Sequence, residues 1–341
     1  MINKKYVKKI LIIKLRGIGD VVLSTIVLDN LKEDFPEAII DYLTDLPSKS
    51  VIEGLPQINK VITFPKQGIW RRLKLFLKIR WSNYDLIFDC FANPTTAQLT
   101  FISGARYKIG FPYKGRKYAY NYLGPAERNK YHSALLHLIT LENAGLSHTK
   151  QNLYFYIDNS DYLIVKKYFK ENNLINKIVV GFSPSGGWQS KKCEPEKFAL
   201  IGNAIKKKYN VEILILWGKS DFDEATKIHQ LIPNSFLAPH TSIREMGAFI
   251  QSCSFLIAND SGPMHISTAV GTPVLSLHGP TDPLLQGPFG NKHEWINYAE
   301  LDCIKCNLLV CPKKHECFID LPLERIMEKL KLLIEKNNIK I

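Results

Sequence analysis

The sequence has no long hydrophobic run. Uninterrupted apolar stretches such as residues 10–13 have only the length of a strand, whereas a helix that crosses a membrane needs about 20 apolar residues. Lys14 and Arg16 interrupt the apolar stretch of the basic N-terminal segment, and a secretory signal peptide needs an apolar region of about 7–15 residues. The sequence therefore argues against a membrane-spanning helix and predicts a cytoplasmic protein.

Acidic residues are scarce relative to basic ones. The 341-residue chain has 32 Asp and Glu against 45 Lys and Arg, so its formal net charge is +13. That excess favours a polyanionic partner, such as nucleic acid, an anionic membrane surface or a phosphorylated substrate. The alternative is a compositional bias toward lysine, which produces the same net charge without any such partner. Hydrophobic residues make up 45% of the chain, which is ordinary for a globular protein and argues against disorder.

Short β-rich runs alternate with helical patterns along the chain, beginning with a strand over residues 9–15 and a helix over residues 21–34. This alternation favours parallel sheets covered by helices. The pattern restarts after a polar stretch at residues 146–160. We therefore predict an α/β protein with two doubly wound domains and a final amphipathic helix, with the bounds 1–150, 151–322 and 323–341.

A glycine-containing turn, KLRGIGD, follows the first predicted strand and ends at Asp20. Gly17 and Gly19 allow a sharp turn, and ligands of open α/β sheets bind beyond the carboxyl ends of strands. Asp20 is therefore either a functional carboxylate or only a helix cap. The turn lacks the third glycine of G-x-G-x-x-G, which disfavours dinucleotide binding.

Two further turns in the second half have the composition of anion sites. SPSGGWQSKK, at residues 183–192, combines small residues with lysines, and NDSGPMH, at residues 259–265, opens a predicted helix. Backbone N–H groups at such turns bind phosphate oxygens. The alternatives are an ordinary glycine-rich turn in the first case, and in the second a helix capped by Asp260 and Ser261, with His265 in the core. HGPTDP, at residues 278–283, is primarily a turn sequence, and a ligand role is the alternative because the motif is expected beside NDSGPMH at the sheet edge.

Four cysteines and one basic helix complete the set of motifs. The cysteines suit a structural metal site, reduced structural thiols or disulfides; they are Cys303, Cys306, Cys311 and Cys317. A helix predicted over residues 69–81 carries its basic residues on one face and its apolar residues largely on another. It is either a membrane-surface helix or a core helix with a solvated basic face. The apolar set is Trp70, Leu73, Phe76, Leu77 and Trp81.

The motifs together resemble the bacterial ADP-heptose:lipopolysaccharide heptosyltransferases, glycosyltransferase family 9. Matching blocks cover residues 10–44, 181–202 and 241–283, and the cysteine run ends the match at Cys317. The resemblance implies a GT-B fold, in which two Rossmann-like domains face a cleft, with the acceptor on the N-terminal side and the nucleotide sugar on the C-terminal side. It implies inverting transfer of heptose from ADP-heptose to the lipopolysaccharide inner core, without a catalytic metal or cofactor.

The resemblance also assigns roles to individual residues. Asp20 is the implied general base, and Lys14 and Arg16 are implied acceptor-binding residues. The implied donor-binding residues are Gly186, Gly187, Lys191, Glu224, Thr241, Asp260, Ser261, Gly262 and His265. A lipid-linked acceptor implies peripheral contact with the cytoplasmic face of the inner membrane.

Three alternatives to this assignment remain. One is a family 9 transferase that uses another nucleotide sugar, and this possibility gains weight because Cys193 and Glu194 replace the Trp-Pro that family members often carry. The second is a non-catalytic nucleotide-sugar-binding paralogue. The third, a nucleic-acid-binding protein, is disfavoured because the sequence has no evident reading helix or aromatic RNA-binding motif.

Overall fold

The strand-forming runs of the sequence build two parallel sheets of six strands each in the computed structural model, which describes residues 2–341. The sheets belong to two units that divide between Tyr156 and Ile157. The strands of the first sheet are β1 (Lys9–Ile13), β2 (Ile39–Thr44), β3 (Lys60–Thr63), β4 (Leu86–Asp89), β5 (Tyr107–Gly110) and β6 (Tyr122–Leu123). Their order in the sheet is β3-β2-β1-β4-β5-β6.

The first sheet is covered by helices because its strands are apolar on both faces. Ile10 of β1 pairs with Ile40 of β2 and Leu86 of β4, and all three side chains are fully buried. Such continuous apolar strands are typical of parallel sheets with helices on both sides. The helices of this unit are α1 (Ile18–Ser24), α2 (Val27–Asp34), α3 (Leu46–Ile52), α4 (Ile69–Trp81), α5 (Pro94–Ile102) and α6 (Ser133–Asn143).

The second unit repeats the arrangement of the first. Its strands are β7 (Val179–Ser183), β8 (Glu212–Ile215), β9 (Phe236–Leu237), β10 (Phe255–Asn259), β11 (Val274–His278) and β12 (Glu294–Asn297). Their order is β12-β11-β10-β7-β8-β9. The longer helices are α7 (Asp161–Glu171), α8 (Pro195–Lys208), α9 (Phe222–Leu231), α10 (Ile243–Gln251), α11 (Gly262–Val270) and α14 (Leu323–Lys336), and the short ones are α12 (Pro283–Gln286) and α13 (Glu316–Ile319).

The final helix, α14, is part of the core of the second unit. Ile326, Leu330 and Leu333 recur at the spacing of one helical face, are fully buried, and join the cluster that includes Phe198 and Phe255. Burial of each such side chain contributes roughly 2 kcal/mol. None of the helices in the described part of the chain is both long and apolar enough to cross a bilayer.

The structure confirms the predicted alternation of strands and helices but corrects one helix. Residues 21–34 were expected to form a single helix, whereas α1 ends at Ser24 and α2 begins at Val27. The break lies at Thr25, whose hydroxyl donates to the carbonyl of Val22 at 2.6 Å and accepts from the backbone N–H of Tyr154 at 2.8 Å. A distant segment that docks at this threonine explains why local periodicity did not predict the break.

Candidate active site

Each sheet has one point at which the strand order reverses. In the first sheet this point lies between β1 and β4, and in the second it lies between β7 and β10. Loops that follow the strands on either side of such a point diverge and leave a crevice at the carboxyl edge, which is where open α/β sheets bind ligands. Most of the residues predicted from the sequence follow β1 in the first unit and β7 and β10 in the second, while Glu224 and Thr241 follow β8 and β9.

In the first unit, Asp20 lies in the first turn of α1 and its carboxylate contacts Lys14. Asp20 Oδ1 is 3.0 Å from Lys14 Nζ, and the side chains are 53% and 8% exposed, respectively. The ammonium group of Lys14 also lies over the ring of Phe91, 5.6 Å from its centroid, in the loop after β4. The lysine thus joins the loops on both sides of the switch point and holds Asp20 at an exposed position.

Gly17, and not Asp20, occupies the N-cap position of α1. Gly17 has a φ of +83°, a backbone conformation that other residues adopt only with strain. A Cβ atom at Gly17 would lie 2.5 Å from Asp20 Oδ2. The glycine therefore gives the carboxylate room to fold back over the turn. Arg16 precedes this turn and is exposed, whereas Lys14 is buried.

A buried aspartate braces the neighbouring loop. Asp89, at the end of β4, accepts hydrogen bonds from the backbone N–H groups of Phe91 at 3.1 Å and Ala92 at 2.8 Å, and from the hydroxyl of Tyr120 at 2.8 Å. Burial raises the pKa of the Asp89 carboxyl. These contacts fix the loop that places Phe91 against Lys14, so Asp89 has a supporting role that the motif analysis did not identify.

In the second unit, Lys191 and Asp260 form a buried ion pair at the switch point. Lys191 ends a short 3₁₀ helix, Gln189–Lys191, after β7, and Asp260 directly follows β10. Lys191 Nζ lies 2.8 Å from Asp260 Oδ2, and the two side chains are 12% and 5% exposed. The ammonium group also lies over the indole ring of Trp188, 4.4 Å from its centroid. Residues 69 positions apart in the sequence are thus brought together by adjacent strands.

Asp260 is held by a chain of buried polar groups that extends to β11. The hydroxyl of Thr281 donates to Asp260 Oδ2 at 2.6 Å, His278 Nδ1 lies 3.4 Å from that hydroxyl, and His278 Nε2 lies 2.9 Å from Ser276 Oγ. Burial by itself would raise the pKa of Asp260, but positive charge at His278 and Lys191 outweighs it and holds that pKa below its usual range.

At neutral pH, Lys191 supplies the positive charge that stabilises the carboxylate of Asp260. Burial lowers the pKa of His278 to about 4, so its imidazole is uncharged near pH 7. The carboxylate of Asp260 therefore depends on Lys191 for its counter-charge and on Thr281 for its hydrogen bond. This arrangement favours a bracing role for Asp260 over direct contact with a ribose hydroxyl, the other interpretation of the sequence.

The N-terminus of α11 lies beside this pair and is not capped by the residues expected to cap it. Ser261 occupies the N-cap position, but its side chain makes no capping hydrogen bond and its hydroxyl donates instead to the carbonyl of Asn259 at 3.3 Å. The interpretation of Asp260 and Ser261 as mere caps is therefore wrong. The first-turn N–H groups of α11, including that of Gly262, and the helix dipole favour an anion here. His265 is buried in the same turn.

The remaining predicted donor residues lie in the loops after β7, β8 and β9. Glu224, in the first turn of α9, accepts from Lys192 Nζ at 2.7 Å, and the same ammonium group lies 2.9 Å from Asp221 Oδ1. Thr241 directly precedes Ser242, the N-cap residue of α10. Gly186 packs against Lys192, since a Cβ there would lie 2.6 Å from Lys192 Cγ, whereas a Cβ at Gly187 would meet open space.

The four clustered cysteines do not form the predicted metal site. Within residues 2–341, no group of three or more His, Cys, Asp and Glu side chains is placed to hold a metal ion. All four thiols are free and Cys306 is exposed, while Nδ1 of the nearby His315 lies 2.6 Å from Glu194 Oε1. Burial, together with the neighbouring thiols, raises the pKa of Cys317 to about 12. The positions of these four cysteines among the described residues thus support neither a disulfide nor a metal ligand set.

The cysteine-rich loop instead supports both donor-side loops. Its thiols surround a cavity of about 50 Å³ together with Ser190 and Gly279. The backbone N–H of Ser190 donates to the carbonyl of Leu309 at 3.2 Å, and the N–H of Lys305 donates to the carbonyl of Gly279 at 3.0 Å. Lys305 Nζ also lies 2.9 Å from Asp282 Oδ2. The loop therefore packs against the segments that carry Lys191 and Thr281.

Besides Asp89, three further residues of the site were not assigned roles by sequence reasoning. They are Trp188, Thr281 and Phe91. Trp188 and Thr281 lie inside motifs that the sequence analysis had singled out, so a ligand-loop prediction could have included them. No motif pointed to Phe91, because its contact with Lys14 depends on the pairing of β1 with β4.

Comparison with known proteins finds one family of similar sequences. The profile of the family described as glycosyltransferase family 9 (heptosyltransferase) matches residues 72–316. The lipooligosaccharide heptosyltransferase 2 of Campylobacter jejuni subsp. jejuni is 28% identical over 330 residues, which cover 93% of this chain and 96% of that protein.

Two solved structures are similar over nearly their whole length. The family 9 glycosyltransferase of Veillonella parvula DSM 2008 superposes with a TM-score of 0.84 at 20% identity, covering 96% of this chain and 97% of that one. The E. coli ADP-heptose lipopolysaccharide heptosyltransferase II superposes with a TM-score of 0.75 at 18% identity, covering 97% of this chain and 99% of that one.

The two doubly wound sheets and the similarity to these solved structures define the GT-B fold, and the matching profile defines a glycosyltransferase. The matching profile spans well over half of the sequence. The chain belongs to glycosyltransferase family 9, the heptosyltransferase family.

Proposed function

We propose that this enzyme transfers heptose from ADP-heptose to the lipopolysaccharide inner core, with inversion at the anomeric carbon. The observation that carries the proposal is the Lys191–Asp260 pair beside the uncapped N-terminus of α11, because this arrangement suits a diphosphate. The identity of the sugar, nucleotide and acceptor is supported by the family and by the names of the C. jejuni and E. coli proteins.

The donor diphosphate is bound by Lys191 and by the first-turn N–H groups of α11. An ammonium group has three N–H donors; Asp260 orients that of Lys191 at 2.8 Å and leaves donors for phosphate oxygens. Ser261, Gly262 and His265 line the same site, with Gly186 and Gly187 in the loop beside it. Glu224, held by Lys192 at 2.7 Å, and Thr241 contact the ribose and base.

Asp20 is the general base of the transfer. Its carboxylate accepts the proton of the acceptor hydroxyl while the hydroxyl oxygen bonds to the anomeric carbon of heptose. The bond between that carbon and the diphosphate oxygen breaks, and its electron pair leaves with ADP. Lys14 fixes the carboxylate at 3.0 Å, and the exposed Arg16 contacts anionic groups of the acceptor.

The transfer is proposed to be metal-independent. Lys191 and the N–H groups of α11 supply the positive charge that the departing diphosphate requires. Addition of EDTA to the purified enzyme should therefore leave the rate unchanged. A rate that falls with EDTA and recovers with a divalent cation would contradict this part of the proposal.

The proposed acceptor also determines where the enzyme works. A lipid-linked core oligosaccharide is anchored in a bilayer, so the enzyme acts as a peripheral protein at the cytoplasmic face of the inner membrane. Its partners are then the nucleotide sugar, the lipid-linked acceptor and the membrane surface, and not a nucleic acid.

The test is an ADP-release assay with ADP-heptose and a deacylated inner-core acceptor. The mass of the product is then measured by mass spectrometry. We expect ADP release that requires the acceptor, and a product heavier by one heptose. ADP-glucose and UDP-glucose are tested in the same assay as comparison donors. Faster release from either would favour the alternative of a family 9 transferase for another nucleotide sugar. ADP binding without release from any donor would favour a non-catalytic paralogue.

A further inference from the structure

Helix α4 has two apolar faces, of which only one is covered in its unit. Leu75 and Ile79 are buried and belong to the core cluster of the first unit. On the nearly opposite side of the helix, a second apolar set remains exposed, with Trp70 and Trp81 at 76% and 70%. We call this set the α4 patch; its members are Ile69, Trp70, Leu73, Leu77 and Trp81.

The structure thus reverses one interpretation of the sequence. A core helix with a solvated basic face would bury the apolar set predicted from periodicity. Of that set, only Phe76 packs partly against the core, whereas both tryptophans and Leu73 are exposed. A contiguous exposed set of large apolar side chains is a docking surface rather than ordinary surface variation.

The surroundings of the α4 patch are strongly basic. Residues 54–126 contain 12 Lys and Arg but only two acidic residues, so this segment carries +10 of the chain's net charge of +13. One of the two acids, Asp89, is fully buried. On the helix itself, Arg71, Lys74 and Lys78 are exposed along one border of the patch. The exposed surface therefore combines tryptophan with unopposed positive charge.

The apolar surface extends from α4 onto its neighbours. A Cβ atom at Gly104, just after α5, would lie 2.7 Å from Arg80 Nη1, so the ends of α4 and α5 adjoin. Phe101 of α5 is exposed and its ring packs edge-on against Tyr118, with centroids 5.5 Å apart. The 3₁₀ segment Tyr113–Ala119 that carries Tyr118 adds further basic residues, Arg116 and Lys117.

We propose that the α4 patch docks on the surface of a bilayer that contains anionic phospholipids. Tryptophan and leucine side chains enter the boundary between headgroups and acyl chains, while the bordering lysines and arginines pair with lipid phosphates. Charge complementarity selects this occupant over a second protein or a neutral membrane. The proposal rests on the membrane contact in the proposed function and assigns that contact to named residues, but it does not depend on which sugar is the donor or the acceptor.

The test is sedimentation of the full chain with lipid vesicles. One set is phosphatidylcholine alone and the other is an equimolar mixture of phosphatidylcholine and phosphatidylglycerol. We expect binding to the mixed vesicles only, and binding about tenfold weaker for Trp70→Ala/Trp81→Ala. The control Leu46→Ala/Leu284→Ala removes two exposed leucines outside the patch and should bind like the unmodified chain.

Salt and charge reversal test the electrostatic part. Raising the ionic strength from about 0.1 M to about 1 M shortens the Debye length from about 10 Å to about 3 Å and should release the protein. Lys74→Glu/Lys78→Glu should lower binding to mixed vesicles by at least about 30-fold. Equal binding to both vesicle types, or unchanged binding by the tryptophan variant, would overturn the proposal, and so would binding of duplex DNA with no binding to vesicles.

A separate readout distinguishes this proposal from the proposed function. With a deacylated, water-soluble acceptor, Trp70→Ala/Trp81→Ala should release ADP at the rate of the unmodified enzyme. Loss of vesicle binding with unchanged release supports the docking surface. Loss of both activities together would show that the tryptophans support the fold or the site of the first unit and would overturn a pure docking role.

Discussion

The two halves of this enzyme place a lysine–aspartate pair at the same point of the same kind of sheet and use it in opposite ways. In the first unit the lysine is buried and Asp20 is 53% exposed. In the second unit Asp260 is buried and is also held by Thr281, while the side chain of Lys191 is 12% exposed. The exposed carboxylate is available to a substrate, whereas the enclosed one is available only to the protein.

This difference fits the two tasks that we propose for the pairs. A general base must reach its substrate, and Asp20 is the exposed partner of its pair. A cation that binds a diphosphate needs a fixed position, and Lys191 is held by the buried carboxylate of Asp260. The comparison can be tested at each of these residues.

The largest expected effect is on turnover at the exposed carboxylate. Asp20→Asn keeps the shape of the side chain and an acceptor for Lys14 but removes the base, so kcat should fall by about 10²–10⁴-fold. ADP affinity, measured by titration calorimetry, should stay unchanged because the donor residues lie in the other unit. A kcat within a few-fold of that of the unmodified enzyme would remove Asp20 from the mechanism.

The two carboxylates should differ in their effect on stability. Asp260→Asn breaks a buried ion pair and should lower the free energy of unfolding by about 3 kcal/mol, whereas Asp20→Asn should cost about 1 kcal/mol or less because its carboxylate is half in water. Urea unfolding of both variants measures the difference. Equal losses in the free energy of unfolding would mean that the difference in burial between Asp20 and Asp260 does not affect stability.

The lysine of the second unit should contribute to donor binding. Lys191→Ala removes the charged donor next to α11 and should weaken ADP binding about 30-fold, equivalent to about 2 kcal/mol. The matched control is Lys207→Ala, an exposed lysine on α8, which should bind ADP normally. If Lys191→Ala binds ADP as tightly as this control does, the diphosphate role is wrong.

Acid should weaken the second unit through His278. Its pKa of about 4 in the folded protein lies below the usual value of about 6.5, so the unfolded chain takes up this proton first as the pH falls. Stability is therefore complete above about pH 6.5 and is lost toward pH 4, by about 2 kcal/mol at pH 5. Between pH 7 and pH 5, the free energy of unfolding of His278→Asn, measured by urea titration, should fall by about 2 kcal/mol less than that of the unmodified protein. An identical pH dependence would contradict the assignment.

The smallest effect is expected for the hydroxyl that braces Asp260. Thr281→Val removes a 2.6 Å hydrogen bond to a carboxylate and should destabilise the protein by about 1.5 kcal/mol. Thr226→Val is a matched control, because the buried hydroxyl of Thr226 has no hydrogen-bond partner among the residues that the structure describes. Thermal unfolding should separate the two variants, and equal melting temperatures would show that the Thr281 bond adds nothing.

The fold was largely predictable because its strands are continuous apolar runs between turn sequences. β1, β7 and β10 follow directly from such runs. The edge strands β6, β9 and β12 were not predicted. β6 and β9 have only two residues each, which carry no periodic pattern. The break at Thr25 depends on Tyr154, far along the chain, and local periodicity contains no information about it.

The site was predictable in its residues but not in its contacts. The motifs identified Asp20, Lys191 and Asp260, because small residues and charges after strands are an unusual combination. They did not reveal that Lys191 and Asp260 form an ion pair, since that contact depends on β7 and β10 being neighbours. The cysteine spacing suggested a metal, but where the thiols point is decided by the loops against which they pack.

The burial of α14 affects the order in which the protein can fold during synthesis. Residues 323–336 are translated after every strand of the second sheet, yet Ile326 and Leu330 are fully buried in that sheet's core. The first unit, built from residues up to Tyr156, can complete its core while the ribosome is still translating. The second unit keeps an apolar surface open until α14 emerges, and during that interval it is the half more in need of a chaperone.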